Sequence, residues 1–198
     1  MEKEKREETG RFTIAIAGLG LMGASLAMAL KGFKNAWILG LNRSEGPLER
    51  ALAEGVVEEG ASWVEEEEKA RQLLGQADLV VVCLYADAAM AFLRRFGSAC
   101  KPGAVVTDVT GVKEAVIALA QACLPSNVEC VGGHPMAGRE CRGCQSAIPD
   151  LCCGPNSAIP PTAPHDPEAR APGGDMARVA GEGTAPYAGA DHHDQLRA

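Results

Sequence analysis

Short aliphatic runs alternate with amphipathic stretches between Phe12 and about Val131. This alternation predicts βαβ units, and therefore an α/β fold with a doubly wound, mainly parallel sheet. The predicted strands are Thr13–Ala17, Ala36–Leu41, Asp78–Tyr85, Ala104–Asp108 and Val128–Val131. The predicted helices are Leu21–Lys31, Glu45–Glu54, Glu65–Leu74, Ala88–Phe96 and Val112–Ala122, with Gly55, Gly60 and Gly75 as natural stops.

The character of the sequence changes after about Cys144. Eight of the twelve prolines lie beyond that residue, and long apolar periodic runs are missing there. Such a segment buries too little apolar surface to offset its ordering entropy. We therefore expect a charged N-terminal arm over residues 1–11, one folded domain over 12–144 and a largely irregular tail over 145–198.

Charge and hydropathy narrow the classes of partner. The net charge is −7, which argues against a general nucleic-acid binder with a basic face. No apolar run approaches the roughly 18–20 residues needed to span a bilayer, and residues 1–11 do not resemble a signal peptide. We expect a cytoplasmic protein that contacts neither nucleic acid nor membrane.

Eight cysteines are an unusual number for such a chain. Cys141 and Cys144 form a C-x-x-C, with Cys152 and Cys153 close behind. A closed zinc site usually has two spaced ligand pairs, which adjacent cysteines fit poorly. No metal site is predicted, and the thiols are expected to be reduced.

A glycine motif follows the first predicted strand and opens the first predicted helix. Gly18, Leu19, Gly20, Leu21, Met22 and Gly23 form G-x-G-x-x-G. In this context the first glycine makes a tight turn, the second admits a pyrophosphate and the third lets helix and strand pack closely. The motif predicts a Rossmann-type domain that binds NAD or NADP at the helix N-terminus. The alternative is a glycine-rich packing turn without a ligand.

The end of the second predicted strand bears on the choice of cofactor. An acidic residue there would bind the adenosine ribose, but the sequence reads Asn42-Arg43-Ser44. Arg43 can pair with a 2′-phosphate and Ser44 can hydrogen-bond it, which favours NADP or the use of both cofactors. Alternatively, Arg43 is a solvated charge and Ser44 caps the next helix.

Two further motifs follow predicted strands and therefore lie at the carboxyl edge of the sheet. His134 stands in GGHPMAGRE at 132–140, where an imidazole can take a proton from a hydroxyl while hydride leaves its carbon. Thr110 stands in TDVTGVK at 107–113, where it can cap a helix or hydrogen-bond a substrate or nicotinamide group. Both residues are candidate catalytic residues.

Four blocks together resemble the N-terminal domain of the prephenate dehydrogenase family, which includes the arogenate dehydrogenases. They are GLGLMGAS at 18–25, ADLVVVCLY at 77–85, TDVTGVK and GGHPMAGRE. The resemblance implies oxidative decarboxylation of prephenate to 4-hydroxyphenylpyruvate in tyrosine biosynthesis, with hydride passing to the nicotinamide. By the same resemblance, His134 would engage the ring hydroxyl, Glu140 would help to bind the substrate, and Leu84 would contact the cofactor.

The sequence also departs from the family pattern. Gly111 stands where family members commonly have a serine that reaches the active site, and Thr110 could supply that hydroxyl instead. The family continues into a helical domain that forms the homodimer and completes the substrate pocket, and we expect most of this domain to be missing here. We interpret the tail as an eroded, frame-disturbed or misread remnant. The alternatives to prephenate dehydrogenase are an arogenate dehydrogenase, a non-catalytic nucleotide-binding fragment and a different hydroxy-acid dehydrogenase.

Overall fold

The computed structural model describes residues 11–111, 113–135, 143–152 and 157–158. Of the sequence predictions, those on the N-terminal arm before Arg11, on Glu140 and on most of the tail lie outside these ranges. Cys141 and Cys153 lie outside them as well.

The main sheet contains six parallel strands in the order β3-β2-β1-β4-β5-β6. Their bounds are β1 Thr13–Ala17, β2 Trp37–Asn42, β3 Glu59–Ser62, β4 Leu79–Val82, β5 Val105–Asp108 and β6 Glu129–Gly132. A separate antiparallel pair joins β7, His134–Pro135, to β8, Ser157–Ala158. The 3-2-1-4-5-6 order is that of the Rossmann fold, so the predicted fold class is confirmed.

Helices cover both faces of the sheet. Their bounds are α1 Leu21–Leu30, α2 Glu45–Ala53, α3 Glu67–Leu74, α4 Ala86–Phe96 and α5 Lys113–Cys123. Short 3₁₀ helices occur at Phe33–Asn35, Gly97–Ala99, Cys144–Ser146 and Pro149–Cys152. No helix of the described residues is long and apolar enough to cross a membrane.

Two hydrophobic clusters fill the space between sheet and helices. Side chains alternate along each strand, so Ile14 and Ile16 pack with α1 and α2 on one face. Ala15 and Ala17 face the opposite cluster, which contains residues of α3, α4 and α5. Burial on both faces explains why β1 and β4 are nearly continuous apolar runs rather than alternating ones.

One strand was missing from the sequence prediction. Gly60 was expected to end a helix, but it lies in β3, which pairs with β2 from Leu39↔Glu59 to Asn42↔Ser62. A Cβ on Gly60 would lie 2.4 Å from the carbonyl oxygen of Gly40. Gly60 therefore allows two strands to approach closely, a role that also fits glycine.

Several predicted boundaries were wrong by a few residues. The strand predicted at Asp78–Tyr85 ends at Val82, because the chain then turns into α4. The helix predicted from Glu65 begins at Glu67, because the Ser62 hydroxyl accepts the N–H groups of Val64 and Glu65 in a turn.

The described part of the tail packs on the domain. Cys144 is buried in the cluster of the α1 face, and Ala147 and Leu151 pack against that cluster. The N–H of Ile148 donates to Ser25 Oγ on α1 across 3.1 Å. Residues 144–151 thus cover part of α1, and the domain boundary at residue 144 stays a prediction.

Candidate functional site

The motif blocks converge because the strands that precede them are in register. Ala17 of β1 is aligned with Leu41 of β2 and with Val82 of β4. Val82 is aligned with Asp108 of β5, which is aligned in turn with Gly132 of β6. The residues that follow these strands therefore share one carboxyl edge, where ligand sites of parallel α/β sheets form.

The glycine turn follows β1, which lies between β2 and β4 in the sheet. The strand order reverses at this point. Gly18 has φ +99°, and a Cβ there would lie 2.5 Å from the carbonyl oxygen of Cys83. A Cβ on Gly23 would lie 1.9 Å from the carbonyl oxygen of Gly18. The first and third glycines are therefore required by backbone conformation and close packing.

Gly20 differs from the other two glycines. A Cβ on Gly20 would meet nothing within 4 Å, and Gly20 is the N-cap of α1 with extended backbone. The open space lies over the first turn of α1, whose amides have no carbonyl partner within the helix. This space is the kind that a pyrophosphate fills, so the residues present fit a dinucleotide.

The other members of the motif support the turn. Leu19 is buried, whereas Leu21 and Met22 are half-buried at the start of α1. The N–H of Leu19 donates to Asn42 Oδ1 across 3.1 Å. The glycine turn is therefore tied to the end of β2.

Leu84 lies beside the turn in the loop after β4. Its δ2 carbon would lie 2.8 Å from a Cβ on Gly18, and the side chain is half-buried. The next residue, Tyr85, is 83 % exposed at the N-cap of α4.

At the end of β2, Asn42 makes side-chain hydrogen bonds within the protein, whereas Arg43 and Ser44 face solvent. Asn42 accepts the Leu19 N–H and donates from Nδ2 to the carbonyl oxygen of Ser44 across 2.8 Å. Arg43 and Ser44 are both exposed. Ser44 is the N-cap residue of α2, the position that the alternative gave it, and its side chain makes no capping hydrogen bond.

Thr110 is held by Asp108 at the end of β5. Both the N–H and the hydroxyl of Thr110 donate to Asp108 Oδ1, at 2.8 Å and 2.5 Å, and both residues are buried. Since the hydroxyl donates its single hydrogen to Asp108, it can offer other groups only an acceptor oxygen.

His134 follows β6 at the same edge. The N–H of Gly133 donates to the carbonyl oxygen of Asp108 across 3.2 Å, so the chain entering β7 lies next to the Asp108–Thr110 segment. In β7, His134 pairs with Ala158. Glu140 lies outside the described residues.

The described part of the chain offers little support for a metal site or a reactive thiol. Within it, no three His, Cys, Asp or Glu residues are grouped as metal ligands would be. Cys100, Cys123 and Cys144 are free cysteines, and burial raises the pKa of Cys100 to about 11. Cys100 is therefore a packing residue rather than a nucleophile at neutral pH.

Comparison with known proteins identifies relatives of this chain. Residues 26–171 match the family model described as prephenate dehydrogenase, nucleotide-binding domain. Prephenate dehydrogenase of Bacillus subtilis (strain 168) is 32% identical over 137 residues, which are 68% of this chain and 35% of that protein. The chain thus spans about a third of the length of this curated relative.

Solved structures share the fold. Prephenate dehydrogenase from Aquifex aeolicus, crystallised with hydroxyphenyl propionate and NAD+, gives a TM-score of 0.74 at 24% identity over 87% of this chain and 58% of that one. Synechocystis arogenate dehydrogenase gives 0.72 at 28% identity over 85% and 57%. Since the family model matches more than half of the residues, this chain belongs to the prephenate dehydrogenase family, whose nucleotide-binding domain it contains.

Proposed function

We propose that the chain binds a nicotinamide dinucleotide at the carboxyl edge of its sheet and forms the cofactor-binding part of a prephenate or arogenate dehydrogenase. The observation that carries this proposal is the open space at Gly20, between a positive-φ Gly18 and a closely packed Gly23. The exposed middle position adjoins the first-turn amides of α1, which lack carbonyl partners within the helix, as a phosphate site requires. The family membership supports the same conclusion.

The residues of the turn would hold the pyrophosphate, with Leu19, Leu21 and Met22 completing the loop and Leu84 lining the crevice on the β4 side. When bound, the nicotinamide supplies a hydride acceptor. The first-turn amides of α1 bind the phosphate oxygens, and Leu84 keeps water from that side of the crevice.

We assign oxidative decarboxylation of prephenate to 4-hydroxyphenylpyruvate, or the matching reaction of arogenate, to this site. His134 takes the proton of the ring hydroxyl as its carbon loses hydride, and loss of carbon dioxide leaves an aromatic ring. Thr110, whose hydroxyl hydrogen is held by Asp108, accepts a hydrogen bond from the substrate or the nicotinamide amide. Glu140 is assigned to substrate binding.

The adenosine end favours NADP or the use of both cofactors. Asn42 carries no charge that would repel a 2′-phosphate, and its side chain is engaged by Leu19 and Ser44. The side chain of Arg43 is exposed, so its guanidinium is available to an anion. The domain bounds and a cytoplasmic location are further parts of the proposal.

The experiment combines binding with turnover on the purified chain. NAD and NADP are titrated by fluorescence, and each is then incubated with prephenate or arogenate while reduced cofactor is followed by absorbance. Saturable binding with reduction in the presence of one substrate supports the whole proposal. Binding without reduction supports only a nucleotide-binding role, and absence of binding overturns the proposal.

A further inference from the structure

The loop Asn42–Ser44 is fixed by contacts on both sides. Asn42 joins it to the glycine turn through the Leu19 N–H. On the other side, the N–H of Trp63 donates to the carbonyl oxygen of Asn42 across 3.1 Å. The loop that would meet the adenosine ribose is therefore held between β1 and β3.

Ser62, the last residue of β3, holds the middle of this loop. Its side chain is fully buried, and its hydroxyl donates to the carbonyl oxygen of Arg43 across 3.2 Å. Ser62 Oγ also accepts the N–H groups of Val64 and Glu65, at 3.4 and 3.3 Å. Because both N–H groups point at the oxygen, its single hydrogen is directed to Arg43.

This contact sets the direction of a whole peptide group. The carbonyl of Arg43 and the N–H of Ser44 belong to one planar trans peptide, in which they point in opposite directions. With the carbonyl turned towards buried Ser62, the N–H of Ser44 is turned away from β3. Among the described residues nothing accepts that N–H, and the side chains of Arg43 and Ser44 are exposed.

We propose that Ser62 is a positioning residue for cofactor choice, which orients the Arg43–Ser44 peptide so that the Ser44 N–H, the Ser44 hydroxyl and the Arg43 guanidinium converge on the 2′-phosphate of NADP. This inference rests on the proposed function. Three donors, one of them charged, suit a phosphate dianion, whereas a ribose hydroxyl needs an acceptor as well. Ser62 itself touches no ligand and acts through the Arg43 carbonyl.

The test compares Ser62→Ala with Ser25→Ala. Ser25 is equally buried, and its hydroxyl accepts a backbone N–H, that of Ile148, away from the loop. Dissociation constants for NADP and NAD are measured for each purified full chain by fluorescence titration, with 2′,5′-ADP as a probe of the phosphate site alone. Thermal unfolding reports the stability of each variant.

Ser62→Ala should weaken NADP and 2′,5′-ADP binding about fivefold, the equivalent of one ordinary hydrogen bond, and change NAD binding less than twofold. Ser25→Ala should leave the NADP-to-NAD ratio unchanged. Ser62→Cys keeps the volume and a weak donor, so an intermediate ratio is expected. It also serves as the measured variant if Ser62→Ala does not fold.

Three results overturn the inference. An unchanged ratio in Ser62→Ala, or equal weakening of both cofactors, means that Ser62 only supports the fold. If the wild-type chain binds NAD but not NADP, the proposed 2′-phosphate site is ruled out, whereas dinucleotide binding still stands. A wild-type chain that binds neither cofactor overturns the proposed function together with this inference.

Discussion

The α-carbon of Gly23 faces the carbonyl oxygen of Gly18 so closely that a Cβ would lie 1.9 Å from that oxygen. This contact sets α1 against the end of β1 and leaves Gly20, between the two, over open space. Packing and ligand access are thus assigned to different glycines of one motif, which allows them to be tested separately.

Gly20→Ala should impair cofactor binding without affecting the fold. The new methyl group meets nothing within 4 Å, and φ −80° with ψ −163° is accessible to alanine. We expect the free energy of unfolding to stay within about 0.5 kcal/mol of wild type, while the dissociation constant for NAD or NADP rises about tenfold or more. Gly32→Ala, also in open space but after α1, is the matched control. Unchanged affinity in Gly20→Ala would place the pyrophosphate elsewhere.

Gly23→Ala should damage the fold first. A Cβ at 1.9 Å from a backbone oxygen requires α1 to move away from β1, and such overpacking costs about 1–3 kcal/mol. Urea unfolding of the variant measures this loss, and cofactor affinity should fall with it. A variant with wild-type stability would show that the turn relaxes freely, contrary to the packing role of Gly23.

The sequence was sufficient for the order of βαβ units and for the glycine turn, because both depend on local patterns. It was insufficient for β3, since Glu59–Ser62 is short, contains a glycine and has no apolar run. Missing that strand also hid Ser62, whose contact with Arg43 joins residues 19 positions apart. The pairing of Asp108 with Gly132 was likewise inaccessible, because register depends on how whole strands pack.

Arg43→Ala tests the proposed preference for NADP. Loss of a charge-assisted hydrogen bond is worth about 1.5–3 kcal/mol, so we expect the dissociation constant for NADP to rise roughly 10- to 100-fold and that for NAD to change little. Arg50→Ala, which removes an exposed arginine from the later part of α2, controls for net charge. Equal effects of both substitutions would indicate only general electrostatic attraction.

Glu67 should contribute to stability in a pH-dependent way. Hydrogen bonds from Arg95 and Arg71 hold the pKa of Glu67 below its ordinary value of 4.5. The lowered pKa stabilises the fold fully above the ordinary value of 4.5, which the unfolded chain keeps, and the contribution is lost as pH falls through the folded-state pKa. The free energy of unfolding in urea should therefore be lower for Glu67→Gln than for wild type at neutral pH. The two values should converge in acid, where the carboxylate of the wild type is protonated. Glu68→Gln, the same substitution one residue further along α3, is the matched control.

His134→Asn separates chemistry from cofactor binding. The N–H of Gly133 donates to the Asp108 carbonyl, next to the Thr110 segment, so asparagine at position 134 keeps the chain path while removing the proposed base. Removing a general base typically costs a factor of roughly 10²–10⁴ in turnover. The dissociation constants for NAD and NADP should stay within about twofold of wild type, because the glycine turn lies on β1 and the proton transfer does not contribute to dinucleotide binding. Full turnover by His134→Asn would mean that another group takes the hydroxyl proton.

Steady-state rates with prephenate and with arogenate, measured beside cofactor titrations, check both halves of the prediction. Loss of cofactor affinity would instead assign His134 to binding.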